Sequence, residues 1–146
     1  DIELRFSKSQ FDQAFSFYDL SAFSEALAPS RTFCMLSDLQ RLANQNLISG
    51  GIHCNPPILA DTPLSDELAF SLEEAFGRQL YMTENTLSNT RLRYDNEPAR
   101  HKLLDLMGDF ALLGQPIQGR IQATKPGHKS NVSWAKRLQD LLVSNK

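Results

Sequence analysis

The sequence is poor in the residues that most often build reactive centres. Its 146 residues hold three histidines (His53, His101 and His128), two cysteines (Cys34 and Cys54) and one tryptophan. Two cysteines make neither a disulfide framework nor a zinc-ribbon spacing, so both are read as reduced cytoplasmic thiols. Metal or acid–base chemistry must draw on the short histidine list. No apolar run approaches the roughly 20 residues of a membrane helix, and no basic stretch followed by an apolar one opens the chain. Neither a membrane span nor a signal peptide is expected. A basic excess is missing too: 15 Lys and Arg stand against 17 Asp and Glu, a net charge of -2. That balance argues against nucleic acid as a partner. Repeats, linkers and low-complexity tracts are absent. What is present is ordinary globular material, 41% hydrophobic and 22% charged. At this size folding buries roughly 70% of the unfolded surface, enough for a real core. One domain over residues 1–146 is expected.

Periodicity sets the expected elements. Ile2-Glu3-Leu4-Arg5-Phe6 alternates as a half-buried strand does, and Phe11, Phe15 and Phe17 mark a second strand. A short helical pattern runs from Leu20 to Leu27 before Pro29, and Ser30 to Phe33 reads as a brief strand or turn. Ser37 and Gln40 match a capping box for a helix carrying Leu36, Leu39, Leu42 and Ala43, ending near Asn46 before a Gly50-Gly51 turn. Ile58-Leu59 predicts a short strand, placed at a sheet edge if Pro56-Pro57 belong to it. Leu64, Leu68, Leu72 and Phe76 predict a helix from Ser65 that stops at Gly77. Thr83 to Thr90 reads as a loop and Arg91 to Tyr94 as a strand.

The strongest helix follows, from Ala99 to Leu113, with Asn96 as its cap, Pro98 in its first turn and Gly114 as its stop. Ile117 to Thr124 alternates as a strand with one wet face, Pro126-Gly127-His128 is a turn, and Val132, Ala135, Leu138 and Leu142 predict a last helix. The fold class is α+β: a two-layer sandwich of one mixed or antiparallel sheet with helices on one face, plus a strand-helix-strand insertion.

The chemistry concentrates in Arg100-His101-Lys102-Leu103-Leu104-Asp105-Leu106-Met107-Gly108-Asp109. His101, Asp105 and Asp109 are spaced four apart and share one helix face, with Gly108 close to it as a point of close approach. Leu103, Leu106, Met107 and Phe110 supply the opposite, core-facing side. A His and two carboxylates on a well-buried helix are costly unless solvated, paired or bound to a metal. His-x-x-x-Asp provides two metal ligands, whereas a catalytic zinc site takes three and keeps one position open. A third could be His128, His53 or a group from outside this chain. His128 could instead meet the Asp109 carboxylate, which would hold its tautomer.

These residues resemble a known family. Asn96-Glu97-Pro98-Ala99-Arg100-His101-Lys102-Leu103-Leu104-Asp105, then Gly108-Asp109, then Gly127-His128 ahead of an Asn-containing helix, resemble the second domain of UDP-3-O-acyl-N-acetylglucosamine deacetylase. Pro29-Ser30-Arg31-Thr32-Phe33 and the Gly50-Gly51 turn fit the same order, and the match covers about Ile2 to Leu142. The segment between Asp61 and Thr90 is similar to the Bacteroidetes-like variant, in which a 3-hydroxyacyl carrier-protein dehydratase is sometimes fused.

The resemblance implies a cytoplasmic Zn2+ amidase of lipid A synthesis acting on a UDP-linked, 3-O-acylated glucosamine. It implies His101 and Asp105 as metal ligands, and His128 as the charged imidazole facing the oxyanion and departing amine, oriented by Asp109. Thr32 would donate to the oxyanion, Phe33 would pack on the substrate, and Lys102 and Lys125 would lie near the sugar and diphosphate. Leu39, Leu42 and Leu47 would wall an acyl passage. The family's third zinc ligand and its base form a Glu-His pair in the first domain, and this sequence has no Glu-His dipeptide. The chain is therefore expected to be the second domain alone. Gly50-Gly51-Ile52-His53-Cys54-Asn55-Pro56 departs from the family pattern, so an acyl-length preference does not carry over. The competing expectation is a non-catalytic UDP-sugar or acyl-ligand binding module on the same fold.

Overall fold

The computed structural model describes residues 1–8, 11–44, 58–59, 64–76, 81–82, 86–88 and 91–144. In chain order the elements are β1 (Ile2–Lys8), β2 (Phe11–Phe17), a 3-10 turn (Leu20–Ala22), α1 (Phe23–Ala26), β3 (Cys34–Met35), α2 (Leu36–Asn44) and β4 (Ile58–Leu59). They continue with α3 (Asp66–Phe76), β5 (Tyr81–Met82), β6 (Thr86–Ser88), α4 (Glu97–Ala111), β7 (Ile121–Thr124) and α5 (His128–Ser144). The class is α+β, as the sequence predicts. The chain divides into two compact units, one of residues 1–7, 12–30 and 96–146, the other of residues 8–11 and 31–95.

The first unit carries the sheet β2-β1-β7. β1 and β7 run parallel, with Ile2 opposite Ile121 and Arg5 opposite Thr124. Parallel neighbours need a long crossover, and α4 lies within the chain between them. Ile121 and Ala123 are half-buried while Gln122 and Thr124 are exposed, the wet face the alternation predicts. The strand itself is shorter than expected, because Ile117 to Arg120 lie outside it. On its exposed side Glu3 accepts from Gln122 at 2.8 Å and pairs with Arg120. These two bonds hold the Glu3 carboxyl below its usual range.

Helix α4 starts where predicted, with Pro98 in the first turn, where a missing N–H costs nothing. Asn96 occupies the cap position, yet its side chain makes no cap hydrogen bond. Its Oδ1 instead accepts from Arg100 Nε at 2.7 Å, and its amide donates to the Ala14 carbonyl at 3.4 Å. Arg100 also donates to the Ala26 carbonyl at 2.6 Å and lies 4.2 Å from the centre of the Phe15 ring. The cap is given up for a clamp between α4, β2 and α1. Gly114 ends the helix region at φ +68°, where a side chain would be strained. Leu103 and Leu106 join Phe17, Leu27, Ala99 and Ala135 in the core. Met107 and Phe110 are only half-buried and help line a cavity of about 560 Å³ with Phe17, Leu106 and Ile121.

The second unit carries the sheet β3-β4-β6-β5, parallel at β3/β4 and antiparallel at β4/β6 and β5/β6. Its core is Leu36, Leu39, Ile58 and Leu72, with Cys34 and Leu64 against it. Several expectations are corrected here. α2 begins at Leu36, so Ser37 is its second residue rather than its cap. The short strand at Ile58-Leu59 is β4 and lies inside the sheet between β3 and β6; Pro56-Pro57 lie outside the described residues. Thr86–Ser88, expected in a loop, forms β6. Its Thr-Leu-Ser alternation is too short to read alone, and pairing on both sides supplies what propensity does not. Arg91 to Tyr94 forms no strand; the Arg91 carbonyl accepts from the Arg31 guanidinium at 2.9 Å. Gly50-Gly51, His53, Cys54, Gly77, Leu47 and the end of the α2 pattern near Asn46 lie outside the described residues.

Candidate active site

The polar stripe of α4 meets the start of α5 within the first unit. His101 Nδ1 lies 3.1 Å from the Ser30 carbonyl oxygen. A carbonyl can only accept, so Nδ1 carries a proton, and the ring's other contact is made by Nε2. That Nε2 faces Asp105 Oδ1 at 3.3 Å. The other oxygen, Asp105 Oδ2, accepts from the Lys102 ammonium at 2.8 Å. One helical turn on, Asp109 takes His128 Nδ1 at 2.9 Å on Oδ2 and 3.1 Å on Oδ1. His128 Nε2 then lies 3.8 Å from Asp105 Oδ2. Both imidazoles are thus held by Nδ1, and their Nε2 atoms flank the two oxygens of one carboxylate.

Burial differs sharply across the group. The Asp105 and Asp109 side chains are 13% and 14% exposed, and His101 is 16%, but His128 is 67% exposed. The carboxylates are therefore fixed by their surroundings, whereas His128 stands at the rim and is held by the bond it makes. His128 is the first residue of α5, not part of the preceding turn. The Gly127 carbonyl accepts the first backbone bond of that helix, from Asn131 at 2.9 Å. Ahead of it Lys125 takes φ +53°, a left-handed conformation that costs a side-chain-bearing residue about 1–2 kcal/mol. Its amide donates to the Arg5 carbonyl at 2.8 Å, tying the turn to β1.

The structure brings His101, Lys102, Asp105, Asp109 and His128 together. Lys125 is exposed on the turn that leads to His128. Thr32, exposed, and Phe33, half-buried, belong to the second unit. Leu39, expected in the wall of a passage, is buried in the core of that unit. Gly108 is exposed, and a Cβ built there meets open space among the described residues. One residue escaped the sequence reading. Asn131, 3% exposed, donates from Nδ2 to Asp109 Oδ2 at 2.9 Å. Its position three after His128 was the signal available, since a helix turns both side chains to one side at that spacing.

Whether these residues suit a metal can be judged from their donors. His101 offers Nε2 with its other nitrogen held by a backbone carbonyl, the arrangement typical of ligating histidines. Asp105 offers a carboxylate against it. Among the described residues, no group of three or more His, Cys, Asp or Glu could hold a metal ion. A zinc ion here would need further donors.

A helix-borne histidine–carboxylate pair stands beside a second, carboxylate-held histidine, an arrangement able to accept and donate protons. Comparison with known proteins narrows the class. Residues 71–140 match the family model described as UDP-3-O-acyl N-acetylglycosamine deacetylase. The chain is 42% identical over 85% of its length to the "Bifunctional enzyme LpxC/FabZ" of Chlorobaculum tepidum, covering 27% of that protein. It is 40% identical over 99% of its length to the protein of the same name from Porphyromonas gingivalis, covering 32% of it. With the UDP-3-O-acyl-N-acetylglucosamine deacetylase of Leptospira biflexa the identity is 34% over 87% of this chain and 34% of the relative. The chain is thus similar to UDP-3-O-acyl-N-acetylglucosamine deacetylases along most of its own length. It spans about a third of the length of these relatives. No helix among the described residues is long and apolar enough to cross a membrane.

Proposed function

We propose that this chain supplies part of the active site of a zinc-dependent deacetylase that hydrolyses the 2-acetamido group of a UDP-3-O-acyl-N-acetylglucosamine, releasing acetate in lipid A biosynthesis. The observation that carries this reading is the pair of imidazoles held by Nδ1 with both Nε2 atoms turned to Asp105. His101 and Asp105 would hold the zinc, with the third ligand and the water-activating glutamate coming from a first domain that carries a Glu-His pair. Bound zinc would polarise the amide carbonyl and activate water for attack. Lys102 offsets the Asp105 charge on the oxygen turned away from His101. His128, its ring oriented by Asp109, would carry a proton at Nε2 toward the oxyanion and then to the departing amine. The Thr32 hydroxyl would add a second oxyanion donor, a contribution typically near 3 kcal/mol. Phe33 would pack on the sugar or nucleotide, and Lys125 would meet the diphosphate as a hydrated point charge. The "bifunctional" relatives support a fused 3-hydroxyacyl carrier-protein dehydratase in the longer protein. The cytoplasm, where the thiols would stay reduced, is the proposed compartment.

The test is a pair of substitutions in the two-domain enzyme. His101→Ala removes a ligand and should abolish both zinc retention and deacetylation. His128→Ala should retain zinc while lowering kcat on the order of 10²-fold or more. Normal zinc and normal turnover in the first variant would refute the assignment, as would zinc loss in the second. Should neither substitution affect hydrolysis, while substrate still binds, the chain would be a UDP-sugar binding module.

A further inference from the structure

We infer that Asn131 is a positioning residue for the acid–base histidine, acting through Asp109; this inference rests on the function proposed above. Asp109 Oδ2 receives two donors from one helix, His128 Nδ1 at 2.9 Å and Asn131 Nδ2 at 2.9 Å. The two differ in what fixes them. Asn131 is 3% exposed and one turn into α5, and its own backbone N–H is bonded to the Gly127 carbonyl. His128 is the first residue of that helix, with a side chain 67% exposed. The buried amide is the rigid member and the imidazole the mobile one.

The chemistry fixes which end of the amide faces Asp109. An ionised carboxylate only accepts, so Asn131 must present its NH2 group. That bond sets the carboxylate plane, and the plane in turn aims a lone pair at His128 Nδ1. Without Asn131, an Asp109 carboxylate with only an exposed imidazole as its described partner could rotate, and the imidazole would follow it. The consequence falls on His128 alone. Asn131 contacts neither His101 nor Asp105 among the described hydrogen bonds, so the zinc ligands keep their own supports.

The experiment uses the two-domain enzyme with Asn131→Leu, which keeps the branching at Cγ, with more bulk, and removes the donor. The expected result is a kcat lowered about tenfold or more, with KM and zinc content unchanged. The 15N-detected Nδ1–H signal of the His128 ring should also lose its hydrogen-bonded shift toward that of a solvated imidazole, which a merely structural role would not produce. Unchanged kcat and an unchanged Nδ1–H signal would overturn the inference, as would a loss of zinc. Asn131→Asp, which keeps the shape and sets a second carboxylate against Asp109, provides the same readouts if the leucine variant does not fold. There kcat must fall with zinc retained, and wild-type kcat would be refuting. His128→Ala separates the two claims: if it leaves kcat intact, the proposed function fails; if it lowers kcat while Asn131→Leu does not, only the role of Asn131 fails.

Discussion

Replacing Asp109 by Asn tests the site at the point where two helices meet. The substitution is nearly isosteric and removes one charge. In the native site Oδ2 accepts from both His128 Nδ1 and Asn131 Nδ2, and Oδ1 lies 3.1 Å from the same imidazole nitrogen. An amide at position 109 has a single oxygen, and Asn131 can only donate toward it. The oxygen must therefore take the Oδ2 position, which turns the new NH2 group to the Oδ1 position, 3.1 Å from a nitrogen that already carries a proton. One charge-assisted hydrogen bond is lost and a donor–donor contact is created. A hydrogen bond to a charged group contributes about 1.5–3 kcal/mol. At roughly 1.4 kcal/mol per tenfold, kcat should fall between about 10-fold and 140-fold. KM should stay constant, because the lost interaction acts on proton transfer rather than on substrate binding. In the two-domain enzyme proposed above, acetate release from a UDP-linked acylated glucosamine would give the rate, and elemental analysis would give a zinc content equal to that of the parent enzyme. A variant with wild-type kcat and a correctly folded site would refute the reasoning, because it would mean that Asp109 neither orients nor charges the imidazole.

Two further predictions concern the backbone and the thiol. Lys125→Gly relieves a left-handed residue worth about 1–2 kcal/mol, offset by about 0.5–1 kcal/mol for the greater freedom of glycine when unfolded. Denaturant unfolding should show a net gain of about 0.5–1 kcal/mol, and a loss of stability would refute the strain at this turn. If its ammonium meets the diphosphate, the same variant should raise KM. Burial, with the Asp38 charge second, pushes the Cys34 thiol up to about 11. At pH 8 its thiolate fraction should be on the order of 10⁻³, against roughly a quarter for an ordinary cysteine. In a Cys54→Ser background, alkylation should be correspondingly slow and should rise about tenfold per pH unit until pH 11. Reaction at the rate of a free thiol would refute the buried position.

Much of this architecture is legible because two periodicities repeat long enough to be unambiguous. α4 carries fifteen residues of pattern with a proline at one end and a left-handed glycine past the other. The i,i+4 spacing of His101, Asp105 and Asp109 places them on one face before any fold is known. The meeting of His128 with Asp109 could be anticipated only as complementary chemistry, since it depends on how α4 and α5 pack. Asn131 offered only its spacing from His128 as a signal: an asparagine inside a helix pattern reads as a weak helix former, and its value lies in a partner 22 residues away. Asn96 failed in the opposite direction. Its local propensity to cap is real, but Arg100 takes its oxygen. In the second unit the strands are two or three residues long, and at that length alternation cannot distinguish Thr86–Ser88 from a loop or Arg91–Tyr94 from a strand.

The path of the chain around Ser30 and Asn96 gives the site a form of insulation. Residues 31–95 leave the first unit after Ser30, whose carbonyl holds His101, and return at Asn96, whose oxygen holds Arg100. Both points of departure are pinned by side chains of α4 itself. A tug transmitted along either strand of the excursion meets a hydrogen bond at the border before it reaches the imidazole. Both posts belong to the first unit, so the groups that hold the histidine and the arginine lie outside the 65 residues between them.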